Sequence, residues 1–159
     1  MLDLKEWLQD AKKVAVLGVG SRIKRDDAVG VAVVDQLKGK VSRSVRLFDC
    51  ETVPESFTGP IRQFAPSHVL IIDAAILGLN PGETRIFTPD SIVESASSTH
   101  TLSLSIVSQY LASEVGAKVL VLGIQPKDLQ LGTKMTRELT RAAKRISQVI
   151  LSALSEVEE

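Results

Sequence analysis

The feature that most constrains the fold is a series of strand-length apolar runs separated by stretches with helical character. Four runs are rich in β-branched and aliphatic residues, at positions 14–20, 44–50, 68–74 and 118–124. Runs that are apolar on both faces are typical of buried parallel strands. A shorter segment, residues 84–88, follows a turn that contains Pro and Gly, and it is predicted to be an edge strand.

The segments between these runs are predicted to be helical. Residues 27–37 and 136–154 carry apolar side chains at helical spacing. Residues 101–115 are predicted to form a further helix, and residues 54–64 a short helix or an irregular crossover. Strands that alternate with helices in this way predict an α/β fold, namely a three-layer α/β/α sandwich around a mostly parallel, twisted sheet. With neither linker nor repeat, residues 1–159 are predicted to form a single domain.

Composition argues against several classes of protein. The 19 basic and 19 acidic side chains balance, so no net field attracts nucleic acid or anionic lipid. No apolar run approaches the roughly 20 residues of a membrane span, and the charged amino-terminal segment lacks the apolar region of a signal peptide. One cysteine, Cys50, cannot form an internal disulfide. We therefore expect a cytoplasmic enzyme with no nucleic-acid partner and no membrane insertion.

Polar residues follow the predicted strands, where ligands bind in sheets of this kind. Asp26 and Asp27 lie in the loop after the first strand, Asp49 and Asp73 end the second and third strands, and His100 precedes a helix. These side chains are expected to converge on one edge of the sheet. Carboxylate and imidazole groups in an incomplete ligand shell suit a divalent transition metal with open coordination positions. The pattern favours a metal-dependent hydrolase or a metal-binding module.

Each candidate residue also has a simpler interpretation. Asp26 or Asp27 could be the N-cap of the first helix, and Asp73 could be an ordinary loop residue. His68 opens the third strand, away from this edge, and is interpreted as structural. Cys50 lies near the edge, but no histidine neighbours it in sequence, which disfavours a thiol nucleophile. No Gly-x-Ser-x-Gly motif is present, which argues against a serine hydrolase of the α/β type.

The main alternative from another class is a dinucleotide-binding domain. Gly18 and Gly20 follow the first strand, and Asp49 stands where a ribose-binding acid would lie. The dinucleotide fingerprint requires a third glycine, however, where this chain has Ile23. The pair of aspartates that leads into the helix would also repel a pyrophosphate. Dinucleotide binding is therefore the weaker interpretation.

The same segments resemble the [NiFe]-hydrogenase maturation endopeptidases, peptidase family M52. That family begins with a strand, Gly-x-Gly-Asn, a short loop, Gly-Asp-Asp-Gly and a helix, and it carries a second motif around an aspartate at a strand end. Further segments resemble the subgroup that serves hydrogenase 3, of the formate hydrogenlyase type. The similarity extends in order from residue 14 to about residue 154. The matching segments are residues 18–21, 26–30, 71–74, 78–83, 99–100 and 122–126.

The resemblance implies that Asp27, Asp73 and His100 are the catalytic and metal-contacting residues, and that Asp49 is an acidic substrate-binding position beside the cleft. It implies an endopeptidase that removes the C-terminal extension of a [NiFe]-hydrogenase large-subunit precursor after nickel insertion. Nickel carried by the substrate would be the recognition element, and the free protein could hold another divalent metal. A metal-polarised carbonyl or water and an aspartate general base are both compatible with these residues.

The chain departs from the family pattern in the loops around these positions. Ser21 replaces the usual Asn, and Arg25 and Ala28 replace the two glycines that flank the aspartate pair. Cys50 and Glu51 stand where small residues, often Gly-Gly, are usual. The implied ligand positions are unchanged. A diverged metal-binding domain without catalytic activity is the alternative that these departures leave open.

Overall fold

A single five-stranded sheet, in the order β2-β1-β3-β5-β4, forms the centre of the molecule. The structure is a computed structural model that describes residues 3–91 and 99–157, with side chains described throughout except at residues 99–103. Strands β1, β2, β3 and β5 are parallel, and β4 pairs antiparallel with β5 at one edge. The strands are β1 (Val14–Gly18), β2 (Val45–Asp49), β3 (His68–Ala74), β4 (Thr84–Phe87) and β5 (Lys118–Ile124).

Helices cover both faces of this sheet. The described α-helices are α1 (Leu4–Trp7), α2 (Val29–Leu37), α3 (Thr58–Phe64), α4 (Thr99–Tyr110) and α5 (Arg137–Leu154). Short 3-10 turns, Arg25–Ala28 and Pro54–Phe57, precede α2 and α3, and a wider π-helical turn, Leu111–Val115, extends α4. Among residues 3–91 and 99–157, no helix is both long enough and apolar enough to cross a membrane.

The side chains of each central strand alternate between two separate cores. In β1, Val14 and Val16 enter the core beneath α1, α2 and α5, whereas Ala15 and Leu17 enter the core beneath α3 and α4. Every residue of β1 is therefore buried, as expected for a strand covered on both faces. This arrangement confirms the predicted three-layer α/β/α sandwich with a mostly parallel sheet.

The order of the strands places a crevice between β1 and β3. The chain leaves β1 through α2 on one face to reach β2, and it then returns through α3 on the opposite face to reach β3. The connection that follows β1 leads to α2 on one face, whereas the connection that follows β3 leads through β4 to α4 on the opposite face, so the strand order reverses between these neighbouring strands. In open α/β sheets, this reversal point is where ligands bind.

Predicted and observed boundaries agree best in the middle of the sheet. Strands β3 and β5 have the predicted limits, and β1 and β2 are shorter by one or two residues at their ends. The predicted helix over residues 27–37 is instead a 3-10 turn followed by α2, and the helix predicted from residue 101 begins at Thr99. Thr136 is the N-cap residue of α5, and its hydroxyl donates to Asp26 instead of capping the helix.

Candidate functional site

Three glycines allow the loop after β1 to lie directly against the neighbouring strands. A Cβ atom at Gly30 would lie 2.2 Å from the carbonyl oxygen of Ile72, and one at Gly20 would lie 1.8 Å from that of Asp27. At Gly18 it would lie 2.7 Å from the carbonyl oxygen of Gly30. The start of α2 therefore touches β3 immediately before Asp73. The two segments that carry Asp27 and Asp73 are held side by side at the carboxyl ends of β1 and β3.

The same contacts argue against the dinucleotide interpretation. The space beside Gly18 and Gly20 is filled by the carbonyl groups of Gly30 and Asp27, so both glycines are in close contact with backbone of this chain and not with open space for a pyrophosphate. Asp49, the position that would bind a ribose, is paired with Arg22. The glycine pair and Asp49, on which the dinucleotide interpretation depended, are thus both engaged in contacts within the protein.

The first aspartate of the pair, Asp26, is a buried structural group. Its side chain is fully buried, and Oδ2 accepts hydrogen bonds from the peptide N–H groups of Lys127 and Asp128, both at 2.9 Å. Oδ1 accepts from the peptide N–H of Thr136 at 2.7 Å, and the Thr136 hydroxyl donates to both oxygens. The carboxylate ties the loop between β5 and α5 to the loop after β1. Its acceptor positions are used within the fold, which leaves Asp26 poorly suited to bind a metal.

The second aspartate, Asp27, is partly exposed at the crevice. Its Oδ2 accepts a hydrogen bond from the peptide N–H of Ser21 at 2.8 Å. This bond uses the backbone of Ser21, so the replacement of the usual Asn at this position leaves it intact. Helix α2 has Ala28 as its N-cap, without a side-chain capping bond. The capping role considered for Asp26 or Asp27 is therefore wrong, because the chain passes through a 3-10 turn before α2 begins.

Asp73 lies at the end of the most apolar strand, one residue beyond the point where Gly30 touches β3. Its side chain is only 2% exposed, and its register partner in β5 is Gly123. A carboxyl group is costly to bury among apolar strands, and polar contacts must offset that cost. The position agrees with the predicted carboxyl edge.

His100 lies in the first turn of α4, and its side chain falls outside the described residues. Among the side chains that the structure does describe, no group of three or more His, Cys, Asp and Glu residues could hold a metal ion. The set formed by Asp27, Asp73 and His100 therefore stays a prediction. The structure brings the segments of the two aspartates together and places α4, whose first turn contains His100, over the face covered by α3.

Arg22, which the sequence analysis missed, joins two carboxylates on different elements. Its guanidinium binds Asp35 of α2, with Nη1 2.7 Å from Oδ2, and also Asp49 at the end of β2. The hydrogen bonds that Arg22 donates to Asp35 and then to Asp49 raise the pKa of Arg22, and the bond to Asp35 in turn lowers the pKa of that carboxyl group. No sequence spacing marks this triad, since its members belong to a loop, a helix and a strand. The role of Asp49 in substrate binding stays a prediction.

Two departures from the family pattern occur where the backbone adopts a conformation that favours glycine. Arg25 and Glu51 have φ angles of 43° and 49°. A residue with a side chain costs roughly 1–2 kcal/mol in this conformation. Arg25 gains an ion pair with Asp128 at 3.1 Å, and the carbonyl of Glu51 accepts from Gly20 at 2.6 Å. The loops thus keep a path suited to glycine. Ala28 has an ordinary helical φ of −76°.

The remaining candidate groups are buried. Cys50 is fully buried, and desolvation, with the nearby charges of Asp49 and Glu55, raises the pKa of its thiol to about 12. A neutral, enclosed thiol is a poor nucleophile, in agreement with the sequence analysis. His68 is 1% exposed at the amino end of β3, at the opposite edge of the sheet. Its structural interpretation fits this position.

The protein belongs to the class of open α/β-sheet proteins, and it has an acidic crevice where the strand order reverses. Residues 31–153 match the family described as Hydrogenase maturation protease, and the chain belongs to that family. It is accordingly a hydrolase of the peptidase type. The resemblance to the hydrogenase 3 subgroup, inferred from the motifs, is confirmed by the named relatives below.

Relatives with known names or structures cover most of the chain. The Hydrogenase 3 maturation protease of Escherichia coli strain K12 is 32% identical over 134 residues, which are 84% of this chain and 85% of that protein. A protein of Methanocaldococcus jannaschii, assigned provisionally to the hydrogenase maturation proteases by its name, is 32% identical over 97% of this chain and 95% of its own. The crystal structure of a [NiFe] hydrogenase maturation protease HycI from Thermococcus kodakarensis superposes with a TM-score of 0.90, at 30% identity, over 96% of this chain and 99% of that one.

Proposed function

We propose that this protein is the endopeptidase that removes the C-terminal extension of a [NiFe]-hydrogenase large-subunit precursor after nickel has been inserted. One observation carries the proposal: the segments bearing Asp27 and Asp73 lie side by side at the reversal point of the sheet, while Asp26 is fully used by the fold. Family membership supplies the class of substrate. Solvent exposure of Asp27 leaves one carboxylate of the pair accessible to an incoming peptide.

In this proposal, nickel belongs to the substrate and is recognised by the protease. Asp27, Asp73 and His100 would occupy coordination positions that the precursor leaves open, since oxygen and imidazole nitrogen are suitable ligands for such an ion. His100 would bind as neutral imidazole. A nickel-polarised carbonyl or water would then lower the barrier to hydrolysis, and an aspartate would accept a proton from the attacking water.

Composition supports recognition through the metal. The chain contains only six aromatic residues, four Phe, one Trp and one Tyr, with which to build a pocket for a substrate side chain. Of these, Phe48 and Phe64 are buried in the core beneath α3 and α4, and Trp7 packs against His68 at the opposite edge. Binding energy that comes from completing the coordination of nickel would make cleavage depend on prior nickel insertion.

The direct test is incubation of the purified protein with nickel-loaded and nickel-free forms of a large-subunit precursor. We expect a loss of mass equal to the extension from the loaded precursor and no cleavage of the nickel-free form. Equal cleavage of both forms with a chelator present would contradict recognition through nickel. Absence of cleavage from either form would favour the non-catalytic metal-binding alternative.

The variant Asp27→Asn tests the role of the exposed carboxylate. Loss of a charged ligand or proton acceptor should reduce the rate of processing by about 100-fold or more. Asparagine still offers an oxygen to the peptide N–H of Ser21, so the thermal midpoint should change little. The matched control is Asp10→Asn, which alters an exposed aspartate at the opposite edge of the sheet and should leave processing unchanged. Wild-type processing by the Asp27→Asn variant would reduce Asp27 to a loop-stabilising residue.

A further inference from the structure

Exposed apolar side chains are concentrated at the edge of the sheet that carries the candidate site. Among the described side chains, six large apolar ones are exposed. Four of them lie on loops that follow the carboxyl ends of β1, β2, β3 and β5, and the other two lie on α4 and α5. The four are Ile23, Val53, Ile76 and Leu131, and the two on helices are Ile106 and Val149.

Two of these residues, Ile23 and Leu131, lie on loops that are hydrogen-bonded to each other, and we call them the apolar ledge. Ile23 is 60% exposed and Leu131 is 79% exposed. The peptide N–H of Gly132, next to Leu131, donates to the carbonyl of Ile23 at 2.9 Å. The peptide N–H of Arg25 donates to the carbonyl of Gly132 at 3.0 Å. The ledge thus combines residues that are more than one hundred positions apart in sequence.

The backbone beneath the apolar ledge is fixed at several points. Asp26 accepts hydrogen bonds from Lys127, Asp128 and Thr136, and the guanidinium of Arg25 pairs with Asp128 at 3.1 Å. Single exposed apolar residues are common on protein surfaces and need no explanation. Here, however, they project from a pre-ordered backbone, which lowers the entropy cost of binding. Such a surface is suited to bind another chain.

We propose that the apolar ledge binds apolar side chains of the large-subunit precursor beside the bond that is cleaved. This inference rests on the proposed function. Ile23 lies four residues before Asp27 in the same loop, so a peptide held at Asp27 passes close to the ledge. The peptide N–H of Ser21, two residues before Ile23, donates to Asp27 at 2.8 Å, so the carboxylate and this part of the ledge share one short loop. Ile23 and Leu131 are specificity-determining residues in this scheme, and they take no part in the chemical step.

The test is steady-state processing of nickel-loaded precursor by the double variant Ile23→Ser/Leu131→Ser. Loss of two exposed aliphatic side chains from the contact should raise KM by about 10-fold or more. Because Asp27 and Asp73 are unchanged, kcat should stay within about twofold of wild type. The matched control is Val149→Ser, which removes an aliphatic side chain of similar exposure, 53%, from helix α5. Its KM should equal that of wild type, and Ile23→Leu should also keep the wild-type KM.

The outcomes separate this inference from the proposed function. Cleavage by wild type together with an unchanged KM in the double variant would overturn the proposed role of the ledge in substrate binding. The proposed function would be unaffected. A failure of the wild-type protein to cleave loaded precursor would overturn the function itself. Sedimentation of wild type and double variant over a range of concentrations tests the other occupant, a second copy of this chain. Wild-type self-association that the double variant abolishes would overturn the proposal, and monomers in both would support it.

Discussion

The two edges of the sheet differ in how their polar groups are used. At the amino edge, His68 is buried with Trp7, 4.9 Å away between ring centroids, and its Nε2 faces Asp10 at 3.4 Å. Asp10 also pairs with Lys118 at 2.8 Å, and Ser67 contacts Nδ1 of His68. The polar groups of this edge therefore mainly contact one another.

The carboxyl edge holds groups that are costly for a folded chain to keep. Arg25 and Glu51 adopt φ angles of 43° and 49°, Asp73 is buried at a strand end, and the apolar ledge is exposed. Backbone strain, a buried carboxyl group and exposed apolar surface rarely coincide without a function. The two edges therefore differ although the same strands form both, and this difference agrees with placing the proposed site at the carboxyl edge.

The glycines of the two edges are also required for different reasons. Gly39 and Gly116, in the amino-edge turns, have φ angles of 75° and 77° and open space where a Cβ would lie. They are required for a turn conformation. Gly18 and Gly30, at the carboxyl edge, are required because backbone from another segment occupies the position of a side chain.

The largest expected effect comes from Gly30→Ala. The new Cβ would lie 2.2 Å from the carbonyl oxygen of Ile72 and 2.6 Å from that of Val19, and neither can shift without disturbing the sheet. We expect a loss of about 3 kcal/mol or more in the free energy of unfolding. The amino-edge counterpart, Gly39→Ala, should cost about 1–2 kcal/mol because only the φ angle is unfavourable. Urea unfolding measures the free energy of unfolding of both variants. Equal losses would contradict the proposed difference between the glycines of the two edges.

A smaller effect is expected for Asp26→Asn. The amide group would place an N–H₂ donor against peptide N–H donors from Lys127, Asp128 or Thr136. A buried donor left without an acceptor costs about 1–3 kcal/mol. At the amino edge, Asp10→Asn should leave the unfolding midpoint nearly unchanged, because the Asp10–Lys118 pair is exposed. Thermal unfolding of the two variants provides the measurement, and an equal or larger loss in Asp10→Asn would contradict the structural role of Asp26.

The smallest effect is a pH dependence at the amino edge. Burial lowers the pKa of His68 below its ordinary value of about 6.5, while Asp10 opposes and Lys118 reinforces this shift. Between the lowered pKa and 6.5, the unfolded chain binds more protons than the folded one, so stability rises with pH in this window. We expect the thermal midpoint to fall as pH drops below 6.5, with a shallower slope in His68→Gln. Parallel slopes from pH 8 to pH 5.5 would show that His68 does not contribute.

Sequence patterns were sufficient for features that depend on local chain properties. The runs at residues 68–74 and 118–124 have uninterrupted apolar centres, residues 69–72 and 119–122, and β3 and β5 match the predicted limits. Strand ends also located Asp73 and Asp49 at one edge, since parallel strands share their direction. The edge strand β4 was found from its preceding turn.

Contacts between distant segments could not be predicted in the same way. Nothing near Asp26 indicates that its acceptors would be used by residues 127, 128 and 136, which is why Asp26 and Asp27 were indistinguishable as helix caps. The pairing of Arg22 with Asp35 and Asp49 depends on how a loop, a helix and a strand meet. These partners are determined by the packing of α2 on the sheet and leave no periodic pattern in the sequence.

The hydrogen bonds to Asp26 have a consequence for the order in which parts of the fold form during synthesis of the chain. The three peptide donors lie 101, 102 and 110 residues further along the chain. A nascent chain that has emerged only through β3 already contains both aspartates of the crevice, but it lacks the segment that fixes the loop around them. Contacts of such long sequence separation form late, because a large loop must close first. We therefore expect the loop that carries Asp26 and Asp27 to be fixed only after residues 127–136 have been synthesised.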